Sequence, residues 1–249
     1  MKVDQARLFE AVCSICPDVV LRAAPRDIWR RLDEDDLWFE LVACILGSQV
    51  RFELAQRAAD GLRRDGLADA GRVPVRREQY ESRIAKCLSG LGYRFPTSRA
   101  KQILQTQDVI YNGGQTLRSI VENSMDAHRV REKLVADADG IGPKQASLFL
   151  RNIGFSVDIA ILDVHVLRYM AMMGLKEPCI EMITSKLAHY EQIETVLRGH
   201  AAHAGYALGH MDLAIWIVMR TISHDRHSDS SFRRARFGGG GRAGSGRRA

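Results

Sequence analysis

Proline and cysteine are scarce in this chain, and long apolar runs are missing. Six prolines beside 21 glycines in 249 residues, with no regular period, exclude a collagen-like repeat. Five cysteines (Cys13, Cys16, Cys44, Cys87 and Cys179) are odd in number and scattered, which excludes a disulfide-framed mini-protein and fits reduced thiols. No apolar stretch approaches a membrane span, and the opening MKVDQARLFEAV carries acidic and polar residues where a signal peptide is apolar. A soluble protein inside the cell, without a membrane partner, is expected. Only Cys13 and Cys16 have ligand spacing, and no second pair completes a tetrahedral site; His200, His203 and His210 lack a nearby carboxylate or thiol. No metal is expected at either place. Strand-like alternation is also rare.

What is present is helical. Apolar residues make up 46% of the chain, enough to bury one large core or two small ones and to exclude a disordered polymer. Leu37, Leu41, Cys44 and Ile45 recur at three- and four-residue steps, as do Ile84, Cys87, Leu88 and Leu91. The pattern predicts helices near 35–47, 52–64, 76–90, 96–112, 126–136, 143–153, 163–173, 178–197 and 203–220. The net charge of +6 suggests an anionic partner, yet residues 221–249 hold seven Arg and two Asp and so carry five of those charges. That Arg/Gly-rich end reads as a disordered tail behind a folded domain at 1–220. Residues 83–103 hold five basic residues and no acidic one, a local patch expected to face an anionic partner, or else a solvated helix face.

Residues 134–170 concentrate the chemistry. A helix ends near Asp137, Gly140-Ile141-Gly142 makes a tight turn, and Pro143 starts the next helix with the ring pre-set for that position. Glycines let the backbone approach a partner, and the open N–H groups of the turn and helix start carry partial positive charge suited to phosphate. Helix, Gly-Ile-Gly turn, helix is a helix-hairpin-helix pattern, whose usual ligand is the DNA backbone. Lys144 lies in the first turn, where the helix dipole disfavours a cation; it is either a nucleophile or a phosphate contact. Asp163 interrupts an apolar run and suits an N-cap, a position that also fixes a carboxylate for proton transfer or charge stabilisation.

The blocks GIGPKQASLFLRNIG and DIAILDVHVLR, with LGYRFPTSRAKQIL and CILGSQVRFELA upstream, resemble the helix-hairpin-helix DNA glycosylase superfamily, closest to the archaeal and bacterial second class of 8-oxoguanine DNA glycosylase/AP lyases. The resemblance implies an all-α fold of two helical subdomains flanking a cleft, with the hairpin at its rim. It implies double-stranded DNA with damaged or modified guanine as partner, a monomer, and a cytoplasmic, nucleoid-associated location. Lys144 matches the Schiff-base lysine and Asp163 the catalytic aspartate, with Gly140, Gly142 and Arg168 on the DNA backbone. His165 either contacts phosphate or simply packs. Lys144 would attack C1′ of the flipped nucleotide and expel the base, and the resulting imine permits β-elimination. Gln49, Arg51 and Phe52 stand where relatives fill the gap left by the flipped base, or at an ordinary helix boundary. Tyr93, Arg94 and Phe95 combine an Arg with aromatic faces, and Asp212 and Trp216 are candidates for the base pocket. No cofactor is expected: the four-cysteine iron–sulfur signature is absent, and only a monovalent cation at the hairpin turn remains open. The C-terminal end departs from short family members: LGHMDLAIWIVMRTI stands in the place of their closing helix. The other reading is a glycosylase-fold protein that reads modified guanine or DNA without cutting, in a bacterial defence or modification system.

Overall fold

Asp4 accepts a hydrogen bond from the Arg7 N–H at 3.2 Å and opens helix α1, Gln5–Arg22. The computed structural model describes residues 4–23, 27–71, 76–175 and 186–237, with side chains as far as residue 222. The expected helices leave α1 out, because Pro17 sits inside it and CSIC reads as a short apolar stretch. Packing overrides that proline. Burial of Leu8, Val12 and Val19 on one face contributes roughly 1.5–3 kcal/mol each, against the ~3 kcal/mol that an interior proline costs a helix.

The chain continues through a 3-10 turn at Ile28–Arg30, α2 at Glu34–Leu46, α3 at Phe52–Arg64, α4 at Arg77–Gly90 and α5 at Pro96–Tyr111. Then come α6 at Leu117–Ser124, α7 at Ala127–Asp137, α8 at Pro143–Asn152 and α9 at Val164–Met172. The last two are α10, Leu187–His203, and α11, Leu208–Phe237. Among the described residues the fold is all-α, as the periodicity predicts. The short α6 was not expected; a reciprocal capping box between Thr116 and Ser119 starts it, and Leu117, Ile120 and Val121 are buried beneath it. The helix expected at 178–197 begins at Leu187 among the described residues and runs on to His203, with 178–185 outside them.

Among the described residues two hydrophobic cores form. One is built by α2–α8 around residues such as Trp38, Leu41, Ile84, Ile103 and Phe149. In the other, α1 returns to pack with α9, α10 and α11 around Val12, Leu167, Tyr190, Leu197 and Ile215. Helix α11 is described as far as Phe237, and residues 238–249 lie outside the described part. Between Thr221 and Phe237 no glycine or proline occurs, and Gly238 is the first such residue. No helix among the described residues is long and apolar enough to cross a membrane.

Candidate active site

The hairpin turn is seated by α5. Gly140 adopts φ +80°, a left-handed conformation, and a Cβ there would lie 2.8 Å from Gln102 Oε1. Gln102 accepts from Arg99 Nη1 at 2.5 Å, and Thr106 donates to the Asp139 carbonyl at 3.0 Å. Ile141 is buried, anchoring the turn in the first core. Gly142 caps α8 without a side chain, so the N–H groups of the first turn have no side-chain partner from the cap. Gly140 is thus fixed by its φ and its close approach to Gln102, and Gly142 leaves the start of α8 without a side-chain cap.

Lys144 follows as the second residue of α8 and is half-buried. Its charge reaches Cys44: burial pushes that thiol up, Glu40 adds to the rise, and Lys144 and Arg151 oppose it. Helix α8 thus presents both cations to α2. Asp163 is the N-cap of α9, its Oδ1 accepting from the His165 N–H at 2.8 Å and the Val166 N–H at 3.0 Å. Helix α8 packs in the first core through Ala146, Phe149 and Leu150, and α9 in the second through Val166, Leu167 and Met170. Lysine and aspartate therefore belong to helices packed in different cores. Arg168 is exposed on α9.

The loop joining α2 to α3 is strained and open. Gln49 has φ +63°, a conformation unusual for a side-chain-bearing residue, and Gln49, Arg51 and Phe52 are all exposed, Phe52 by 61%. Arg99 Nη2 donates to the Ser48 carbonyl at 3.0 Å, so one buried guanidinium ties this loop, through Gln102, to the hairpin turn. Arg99 belongs to the basic stretch expected to face DNA, but it is used internally. Tyr93 corrects another expectation. It is 4% exposed and its hydroxyl donates to the Leu46 carbonyl at 2.5 Å, so it props the loop from inside and offers no face to a base. Arg94 is exposed and stacks on half-buried Phe95 at 4.9 Å. Arg83 and Lys86 line a separate surface depression with Arg64, at the C-terminal end of α3, about 20 Å of helix away from Phe52. The basic patch is thereby divided.

On α11, Asp212 and Trp216 lie one turn apart with different surroundings. Asp212 is 1% exposed; its Oδ2 accepts from Arg151 Nη1 at 2.6 Å and from the Ile161 N–H at 3.2 Å. Burial pushes its carboxyl up to about 7; Arg151 and the Ile161 N–H oppose the rise, and the charge of Asp163 adds to it. Asp212 therefore lies beneath the segment leading to Asp163, a correction to its expected place lining the base pocket. Trp216 is half-buried, with its ring edge-on to His165 at 6.5 Å and Arg220 stacked 4.8 Å from its centre. Arg220 pairs with Glu53 at 2.6 Å, beside Phe52 on α3. A contact chain thus runs from the Asp163 cap to the strained loop. Glu53, Arg151 and Arg220 escaped sequence reasoning; their partners are distant in the chain, and Glu53 and Arg220 are 167 residues apart.

Residues 22–206 match the family model described as 8-oxoguanine DNA glycosylase, with a helix-hairpin-helix. The chain belongs to that family. Within the 8-oxoguanine DNA glycosylase family it is 31% identical over 199 residues to the 8-oxoguanine DNA glycosylase/AP lyase of Korarchaeum cryptofilum, covering 80% of this chain and 87% of that one. The crystal structure of the 8-oxoguanine DNA glycosylase of Thermotoga maritima superposes with TM-score 0.69 at 31% identity, over 85% of this chain and 95% of that one. The Methanocaldococcus jannaschii 8-oxoguanine glycosylase/lyase, solved in complex with a 15mer DNA containing 8-oxoguanine, gives TM-score 0.70 at 26% identity over 84% of this chain and 95% of that one. The family match spans the loop, hairpin, Lys144 and Asp163, and stops short of Asp212 and Trp216.

Proposed function

We propose that the protein is a bifunctional DNA glycosylase/AP lyase that flips out and excises oxidised guanine, 8-oxoguanine, from double-stranded DNA. The observation that carries this is the placement of Lys144 at a hairpin-led helix start while Asp163 is held fixed as the cap of a helix in the other core. The hairpin N–H groups hold the DNA backbone, assisted by Arg168. Gln49, Arg51 and Phe52 fill the gap in the stack, which offsets part of the unstacking cost of a few kcal/mol. Trp216, under Arg220, offers an aromatic face to the flipped purine.

The reacting groups divide the work. The neutral Lys144 amine attacks C1′ while the bond to the base breaks, and the departing purine takes the electron pair. The Asp163 carboxylate stabilises the oxocarbenium-like charge and then accepts or relays protons. Ring opening leaves an imine between Lys144 and C1′, which makes the 2′ proton acidic, and loss of the 3′ phosphate by β-elimination cuts the strand. Lysine and aspartate supply this chemistry without a cofactor.

Duplex with one 8-oxoguanine tests the reading. Lys144→Gln should bind it and neither release the base nor nick the strand; Asp163→Asn should bind it with excision reduced by a factor on the order of a hundred or more. Wild-type nicking by Lys144→Gln would remove the lysine from the mechanism. Binding without cutting by the unaltered protein would favour a reader of modified guanine.

A further inference from the structure

Residues 159–162 lead directly into Asp163 without regular secondary structure, and Ala160, Ile161 and Leu162 are buried. Buried N–H groups outside a helix need other partners, and here three side chains take three in succession. Glu194 Oε1 accepts from Ala160 at 2.8 Å, Asp212 Oδ2 from Ile161 at 3.2 Å, and the Tyr190 hydroxyl from Leu162 at 3.0 Å. That hydroxyl also donates to the Ala160 carbonyl at 2.7 Å.

The two acids do more than satisfy backbone. Asp212 also holds Arg151, which sits on α8 with Lys144. Glu194 binds both ends of the buried Arg131 guanidinium at 2.8 and 2.9 Å, and Arg131 Nη1 donates in turn to Ser147 of α8 at 3.2 Å. Each acid therefore touches the aspartate segment with one hand and reaches the lysine helix through an arginine with the other. Resting on the assignment of Lys144 and Asp163 as the reacting pair, we infer that Asp212 and Glu194 are positioning residues that lock the Asp163 segment to the Lys144 helix.

Buried ion pairs are poor sources of net stability, because desolvation consumes most of the Coulombic gain. What they supply is a fixed geometry, since a paired charge tolerates few arrangements. The fix matters here because Lys144 and Asp163 belong to different cores and act on one sugar carbon. A misplacement of about 1 Å between reacting groups costs a rate factor on the order of a hundred.

The test compares Asp212→Asn and Glu194→Gln with the unaltered protein on 8-oxoguanine duplex, by single-turnover excision, by DNA affinity and by thermal unfolding. Excision should fall by a factor on the order of ten to a hundred, while affinity stays within about twofold. Folded variants that excise at the unaltered rate would overturn the inference, and so would equal losses in affinity and rate. Tyr190→Phe, which removes one hydroxyl, carries the test if both acid variants fail to fold. It should slow excision several-fold at unchanged affinity, and an unaltered rate would be decisive against the lock. Lys144→Gln and Asp163→Asn run alongside. Full activity in those two would refute the reacting pair itself, an outcome separate from any behaviour of the acids.

Discussion

Tyr93 and Asp212 show how burial reassigns a residue that sequence places in a site. The Tyr93 hydroxyl satisfies the Leu46 carbonyl just before the strained loop. Tyr93→Phe should lower unfolding free energy by about 1–3 kcal/mol, the cost of an orphaned buried acceptor, as measured by denaturant titration. Asp212 titrates near pH 7 in the fold, above its ordinary value of 3.8, because burial disfavours its charge. A raised carboxyl contributes stability that is fully present below pH 3.8 and is lost as pH rises through about 7. The stability advantage of the unaltered protein over Asp212→Asn should therefore shrink between pH 4 and pH 7 in paired melts; a growing advantage would contradict the assignment. The positions of Lys144 and Asp163 were legible because they follow local rules, a cation after a Gly-Ile-Gly turn and an acid at a helix cap. Asp212 was not, because its neighbours Ile161 and Arg151 lie 51 and 61 residues away.

At the scale of elements, the site depends on turns that admit little change. Gly140 combines φ +80° with a 2.8 Å approach to Gln102, so Gly140→Ala should weaken DNA binding and cost stability, by about 1 kcal/mol or more. Gly209 is tighter against main chain: a Cβ would come within 2.9 Å of the Val157 carbonyl oxygen, while the Gly209 N–H donates to that same oxygen at 2.8 Å. Gly209→Ala should push α11 off the segment before Asp163 and slow excision more than it weakens affinity, read by single-turnover assay and DNA titration. The helices from α2 to α5 matched their apolar periodicity closely. Helix α1 did not, since proline punctuation concealed it and only contact with α9–α11 makes it worthwhile.

For the whole molecule, net charge was a poor guide. Five of the six excess charges lie beyond residue 220, while Lys144 and Asp163, the proposed reacting groups, sit on helices of the two cores. A protein ending at residue 237 should keep its chemistry but lose affinity at low salt, with the slope of log affinity against log salt reduced by about 0.9 for each phosphate contact removed. An unchanged slope would show that the terminal arginines do not touch DNA. The Arg220–Glu53 pair spans from α11 to α3 beside the loop expected to enter the duplex. The claim on which the account depends is the identity of the nucleophile. Borohydride reduction of the protein mixed with 8-oxoguanine duplex, followed by peptide mapping of the covalent adduct, tests it most directly. The account predicts one adduct, on Lys144, absent from Lys144→Gln; an adduct on another residue, or an equal yield from that variant, would contradict it.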